Sequence, residues 1–275
     1  MTTEWPKKII EWTEERKAYL SIPFTWLLPK AFSRCVWYLQ QGYEVFAGGP
    51  AVSNMPDVLK GVAHIGGELD ALPRHNPDAT FTSRGCVRKC EFCAVWRIEG
   101  TLRELDYWTP KPIVCDNNLL ACSHKHFGKV IDSLKSIKGV DFNQGLDARL
   151  LSDYHIQRLK ELDLALVRFA WDWTPSEPYV IGAIERMVKA GWPKSRIQVY
   201  VLFGHTDTPE DASYRFETLR NLKVRSNPMR YQPLDTMKRD SYISEQWTRG
   251  DLKRTMRYWA RQNWLSKVPF VEYVG

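Results

Sequence analysis

The chain has 275 residues, 44% of them hydrophobic, which is enough apolar material for one large core or two modest ones and excludes a disordered or fibrous protein. Lys and Arg number 39 against 32 Asp and Glu, a formal charge of +7 that permits an anionic partner without requiring one. No stretch approaches the roughly 18 uninterrupted apolar residues of a membrane span, and the opening MTTEWPKKIIEW lacks an apolar segment followed by a small-residue cleavage site, so a soluble, cytoplasmic protein without a membrane partner is expected.

In chain order, KAYLSIPF reads as a strand, residues 27–41 as a helix, YEVFAGGP as a second strand ending in glycines, and VAHIGG near 62–67 as a weaker strand. This is a short, truncated Rossmann-like α/β segment. The polar, proline-containing run at 68–79 marks a boundary. Beyond it, short β-branched or aromatic runs alternate with helical runs, the pattern of βα units around a parallel sheet. Six strands are predicted near 79–83, 112–116, 139–144, 164–171, 197–203 and 228–232, with helices over 124–137, 152–162, 176–190 and 209–222. The last opens on Thr208, Pro209 and Glu210 as cap and first turn. Six units are too few for an eight-stranded closed barrel, so the fold class is α/β with an open, partial (β/α)6 barrel. The expected domains are an α/β segment over 1–75, the barrel over 76–240 and a basic helical extension over 241–275.

Six cysteines in an intracellular chain with an adequate core do not suggest a disulfide framework. Cys35, Cys115 and Cys122 are scattered, but Cys86, Cys90 and Cys93 fall in TFTSRGCVRKCEFCAVWRIEG, just after the first barrel strand. Three thiolates from one loop leave a metal position open, whereas a structural zinc site or an ordinary four-iron cluster takes four protein ligands. Arg84, Arg88 and Lys89 add positive charge there, and Gly85 allows a sharp turn. A zinc loop completed by His75 is the competing reading.

Cys86-x-x-x-Cys90-x-Phe92-Cys93 resembles the signature of the radical S-adenosylmethionine (SAM) enzymes, including the aromatic residue before the last cysteine. The resemblance implies that the three cysteines hold a [4Fe–4S] cluster whose open iron chelates the amino and carboxylate groups of SAM. It further implies reductive cleavage to a 5′-deoxyadenosyl radical, in an oxidoreductase or transferase supplied with electrons by a reduced flavodoxin or ferredoxin type of donor. It also implies a partial (β/α)6 barrel and puts Phe92 near the adenine.

Alternate residues of a barrel strand point inward. In VRFAWDW, Arg168, Ala170 and Asp172 form one phase, and Val167, Phe169 and Trp171 form the other, which faces the helices. Arg168 is a candidate for a ligand carboxylate and Asp172 for ribose hydroxyls; an Arg168–Asp172 ion pair is the alternative. The second strand ends at Asp116, Asn117 and Asn118, where the family often binds the SAM amino group with a Gly-Gly-Glu run. This chain lacks that run, and Asn117 and Asn118 are substitutes by position. The third strand ends in FNQGLDARLL, with Gln144, Asp147 and Arg149 around Gly145. A turn and helix start capped by Asp147 or Asp153 is equally open. The fifth ends at Gly204 and His205, the latter either a proton shuttle or a loop residue.

The run FTWLLPKAFSRCVWYLQQGYEVFAGGPAVS, followed by HIGGELDAL, looks like the second half of the cobalamin-binding domain that precedes many radical SAM barrels. The first units and an Asp-x-His-x-x-Gly run are missing, so a relic without cobalamin is expected, with a cobalamin-dependent methylase as an alternative. From 223 to 267, eleven basic residues face four acidic ones and account for the net charge. On a projection of 251–263, Leu252, Met256 and Trp259 share a face opposite Lys253, Arg254, Arg257 and Arg261. Trp247, Tyr258 and Trp264 are candidates to stack on bases of a nucleic acid or nucleotide substrate, and a solvated helix closing the barrel is the alternative. A zinc-stapled nucleic-acid-binding protein without catalysis is the rival to an enzyme.

Overall fold

The structure, a computed structural model, describes residues 5, 7–66, 71–262 and 267–274. It divides into two compact units, one of Met1–Ala79, Cys93–Gly100 and Gln232–Tyr242, the other of Thr80–Phe92, Thr101–Tyr231 and Ile243–Gly275.

The first unit carries strands β1 (Ile10–Glu14), β2 (Lys17–Ser21), β3 (Glu44–Gly48) and β4 (His64–Ile65), in that order across a sheet, with helices α1 (Leu28–Gln40), α2 (Pro50–Asn54) and α3 (Leu72–His75). The parallel β2–β3–β4 part is the expected α/β segment. Strand β1 was not anticipated. It forms an antiparallel hairpin with β2 through a two-residue turn in which Glu15 takes a positive φ of 52°. One face of the sheet, through Ala18, Leu20, Val45 and Ala47, shares a core with Leu28, Ala31 and Cys35 of α1. On the other face, Trp12, Tyr19, Phe46 and His64 stack across the four strands with ring centroids 5.2, 5.3 and 5.0 Å apart.

In the second unit, β5 (Ala79–Thr80) leads to a small antiparallel ribbon of β6 (Ser83–Arg84) and β7 (Arg103–Glu104), and the cysteine loop lies between them in sequence, followed by the short α4 (Val95–Ile98), which belongs to the first unit. The ribbon ties the two ends of that loop, and nothing in its two-residue strands advertised it. The units that follow are β8 (Ile113–Val114), α5 (His124–Leu134), β9 (Val140–Phe142), α6 (Asp153–Leu159), β10 (Leu164–Ala170), α7 (Glu177–Lys189), β11 (Ile197–Phe203), α8 (Pro209–Asn221), β12 (Arg225–Arg230) and α9 (Arg249–Trp259). The six-stranded sheet runs β12-β11-β10-β9-β8-β5. Its pairings from β8 to β12 are parallel. The fold is therefore α/β with a mostly parallel six-stranded sheet.

Helices α5, α6, α8 and α9 start where a side chain satisfies open backbone N–H groups. Ser123 caps α5, Ser152 and His155 form a capping box on α6, and Thr208 with Asp211 does the same for α8, ahead of Pro209. Strand β12 begins at Arg225, three residues before the expected start, because Lys223 at φ 58° ends the preceding turn at once. Pro228 is tolerated because β12 is an edge strand.

Val167, Phe169 and Trp171 are fully buried against the helices, as their phase required, each worth about 1.5–3 kcal/mol of burial. The C-terminal helix departs from the projection. Its buried face is Leu252, Thr255, Tyr258 and Trp259, whereas Met256 is exposed. Tyr258 and Trp247 are not available for bases. Tyr258 is wholly buried with its hydroxyl 2.5 Å from the carbonyl of Val268, and the buried Trp247 donates its Nε1 to the carbonyl of Asp207 at 2.7 Å. Arg254 donates to the carbonyls of Phe270 and Tyr273, so it fastens the following segment and does not belong to an outward basic face. Trp264 lies outside the described residues. No helix among the described residues is long and apolar enough to cross a membrane.

Candidate metal centre

The first strand is pinned before the cysteine loop begins. Buried Asp116, just beyond β8, accepts from the Thr82 N–H at 2.6 Å, the Thr82 hydroxyl at 2.5 Å and the Ser83 hydroxyl at 2.8 Å. Asp116 is thus a staple between neighbouring strand ends. Gly85 then takes φ +76°, the left-handed region open to glycine, and turns the chain into the loop.

Cys86, Cys90 and Cys93 are half-buried, and Cys35, Cys115 and Cys122 are buried. Burial raises the thiols of the second trio to about 11, 12 and 12, which keeps them protonated and inert. The six cysteines therefore separate into three core residues and three half-buried residues close together in sequence. Among the described residues, no three His, Cys, Asp or Glu side chains stand together closely enough to hold a metal ion without rearrangement. His75, the suggested fourth zinc ligand, makes a 2.9 Å hydrogen bond with Ser21 in the N-terminal sheet, and burial lowers its pKa.

The sulfur of Cys86 accepts from the Arg88 backbone N–H at 3.4 Å and from Asn118 Nδ2 at 3.8 Å. Asn118 Nδ2 also donates to Asp147 Oδ2 at 3.2 Å, while Asn118 Oδ1 is buried without a hydrogen-bond partner among the described residues. Such an orphaned acceptor costs about 1–3 kcal/mol and calls for a donor.

Asp147 gathers the surrounding charges. Its carboxylate accepts from Arg88 Nε at 2.7 Å, and from Arg149 Nε at 2.7 Å and Nη2 at 3.1 Å; it also caps the Arg149 backbone N–H at 3.2 Å. Burial alone raises the Asp147 carboxyl, but hydrogen bonds and charge from Arg149 and Arg88 outweigh it and leave the pKa below the ordinary value. Arg149 feels Cys90 and Asp172 as well. Asp172 is raised to about 6, first by burial, with Arg215 and Arg149 opposing and Asp147 adding.

Beyond β11, Gly204 at φ +80° donates its N–H to Asp207 Oδ1 at 2.8 Å. Asp207 pairs with the wholly buried Arg215, which also reaches the carbonyls of Trp171 at 2.9 Å and Leu202 at 2.8 Å. This fixes the ends of β10 and β11. Phe92 meets the His205 ring edge-on at 6.1 Å, and His205 meets Tyr231 at 4.4 Å.

Thus Cys86, Asn118 and Arg149 come together around Asp147, with Asp172 in their electrostatic neighbourhood, and Phe92 stands with His205 beside Gly204. Gln144 is exposed and donates to Asn143 Oδ1 at 3.3 Å, and Asn117 is half-buried. Arg168 binds Asp141 instead of Asp172. Its Nε and Nη2 each lie 2.7 Å from a carboxylate oxygen, and Nη1 donates to Gln198 at 2.6 Å and Tyr200 at 3.3 Å. Sequence reasoning missed Asp141, Arg88 and Arg215 as partners, because each acts across strands or across tens of residues, where no local pattern reports on it.

Neither models of known protein families nor proteins of curated function produced a match to the chain.

Proposed function

We propose that the chain is a radical SAM enzyme in which Cys86, Cys90 and Cys93 hold a [4Fe–4S] cluster. The observation that carries this reading is the Cys86 sulfur held by two N–H donors beside the orphaned buried oxygen of Asn118. The donor set fits iron: three accessible thiols on one loop, N–H groups directed at sulfur as in iron–sulfur proteins, and cationic Arg88 and Arg149 close by. Strand order in sequence supports a partial (β/α)6 barrel with the loop after its first strand.

When bound, the cluster and SAM supply a one-electron cleavage that leaves a 5′-deoxyadenosyl radical. The chain's own residues bind and orient. Asn118 Oδ1 accepts from the ammonium of the methionine part, which meets its missing hydrogen bond. Arg149, whose guanidinium remains partly exposed beside Asp147, takes the carboxylate. Arg168 is less suited to that role because it is 16% exposed against 36% for Arg149, and its remaining Nη1 is taken by Gln198 and Tyr200. Asp172 receives ribose hydroxyls, Phe92 flanks the adenine, and Gly204 lets backbone approach the nucleoside. Asn117 and Gln144 border the same strand ends. A reducing cytoplasm and a flavodoxin or ferredoxin type of donor suit this chemistry. For an anionic or nucleic-acid-derived substrate, the net positive charge is the remaining support.

Anaerobic reconstitution tests the reading. Brown protein with about four irons per chain that releases 5′-deoxyadenosine from SAM under a strong reductant is expected, with Cys90→Ala abolishing iron uptake and leaving the fold intact. Colourless protein binding one zinc overturns the proposal in favour of a zinc-stapled nucleic-acid-binding protein.

A further inference from the structure

We propose that Asp147 is a positioning residue that latches the cysteine loop and aims both hydrogen bonds received by the Cys86 sulfur. The proposal deepens the radical SAM reading and rests on it only for the effect on the cluster. Those two donors come from Arg88, inside the loop, and from Asn118, beyond β8. Both residues are held by the same Asp147 carboxylate, Arg88 through its side-chain Nε at 2.7 Å and Asn118 through Nδ2 at 3.2 Å. The Asp147 side chain is only 7% exposed, against 31% for Arg88, so the anchor is fixed and the loop is fastened to it.

A single carboxylate therefore sets where the loop lies and how Asn118 is turned. Its own position is secured from the other side by Arg149, through two side-chain hydrogen bonds and the capped backbone N–H. Charge-assisted hydrogen bonds are the strongest neutral-pH device for holding an exposed loop to a buried anchor. In a loaded site, N–H groups directed at sulfur also make an iron–sulfur centre easier to reduce. Asp147 thus acts through Arg88 and Asn118 and does not itself touch iron.

Hydrogen exchange of the metal-free chain tests the latch without any cluster. Asp147→Ala and Arg88→Ala should each speed exchange of the amides at 84–93 by about tenfold, the loss of one charge-assisted hydrogen bond at a partly exposed site, with the sheet strands unchanged. Arg88→Ala leaves the Arg149 cap in place and serves if Asp147→Ala does not fold. In reconstituted protein, both variants should shift the cluster midpoint potential downward, an effect that a role in folding alone does not produce. Unaltered exchange at 84–93, acceleration spread over the whole chain, or an unaltered potential in loaded protein overturns the proposal. A wild-type chain that takes up no iron defeats the radical SAM reading, and the metal-free exchange then decides the latch by itself.

Discussion

The guanidinium of Arg168 on β10 and the carboxylate of Asp141 on β9 meet as two parallel hydrogen bonds, each 2.7 Å long, with both side chains 16% exposed. Such a fork joins two neighbouring strands in the middle of the sheet. Burial lowers the pKa of Arg168, but Asp141 and Tyr200 outweigh it and keep the cation charged. Arg168→Met strands a largely buried carboxylate and should cost about 2–4 kcal/mol, read as a lower urea midpoint. Adding Asp141→Leu should recover most of that loss, since the uncompensated charge goes with it. Equal midpoints for Arg168→Met and the wild type would show that the fork does not hold these strands.

Asp172 makes stability fall with rising pH. Its folded pKa of about 6 lies above the ordinary carboxylate value of 3.8, so between those limits the folded chain binds more protons than the unfolded one. The contribution is complete below pH 4 and lost as pH rises through 6, with Arg215 and Arg149 moderating it and Asp147 adding to it. Asp172→Asn should match the wild type near pH 4 and exceed its stability at pH 7.5 by about 2 kcal/mol. Denaturation at the two pH values measures the difference; a variant no more stable at pH 7.5 contradicts the assignment.

Gly204→Ala should destabilise by about 1–2 kcal/mol. An added Cβ must adopt φ +80° and would stand 2.7 Å from Leu252 Cδ2. The leucine tip can move, but the backbone cannot. Combining Gly204→Ala with Leu252→Val should therefore lose less than the sum of the two single changes in thermal unfolding. Strict additivity would mean the two positions do not touch.

In the metal-free chain, iodoacetamide should modify Cys86, Cys90 and Cys93 under native conditions and reach Cys35, Cys115 and Cys122 only after unfolding. The rate separation should exceed about tenfold, because burial both hides the second trio and keeps it protonated. Peptide mass mapping reads the order, and early labelling of Cys115 or Cys122 counts against the division into core and loop thiols.

Much of the second unit was legible because its signals are local. The phase of β10 follows from strict alternation, and Thr208 ahead of Pro209 announces α8 before any packing is known. The partners were not legible. Arg168 and Asp172 share a strand face four residues apart, so each suggested the other, but strand register offered Arg168 a closer carboxylate on β9. On α9, a hydropathy projection favoured Met256 over Thr255. The carbonyls of Val268 and Phe270 instead draw Tyr258 and Arg254 toward the C-terminal segment and rotate Met256 outward. Asp147 was visible as a helix cap, which it is. Its grip on Arg88, 59 residues earlier, depends on how the third strand end meets the cysteine loop.

The sheet is laid down in chain order from β5 to β12, with no strand inserted between earlier ones. As the polypeptide leaves the ribosome, each new strand therefore finds its only required neighbour already formed, and assembly can advance by accretion at one growing edge. The thiols of the loop emerge at the start of that process, before the later βα units are made.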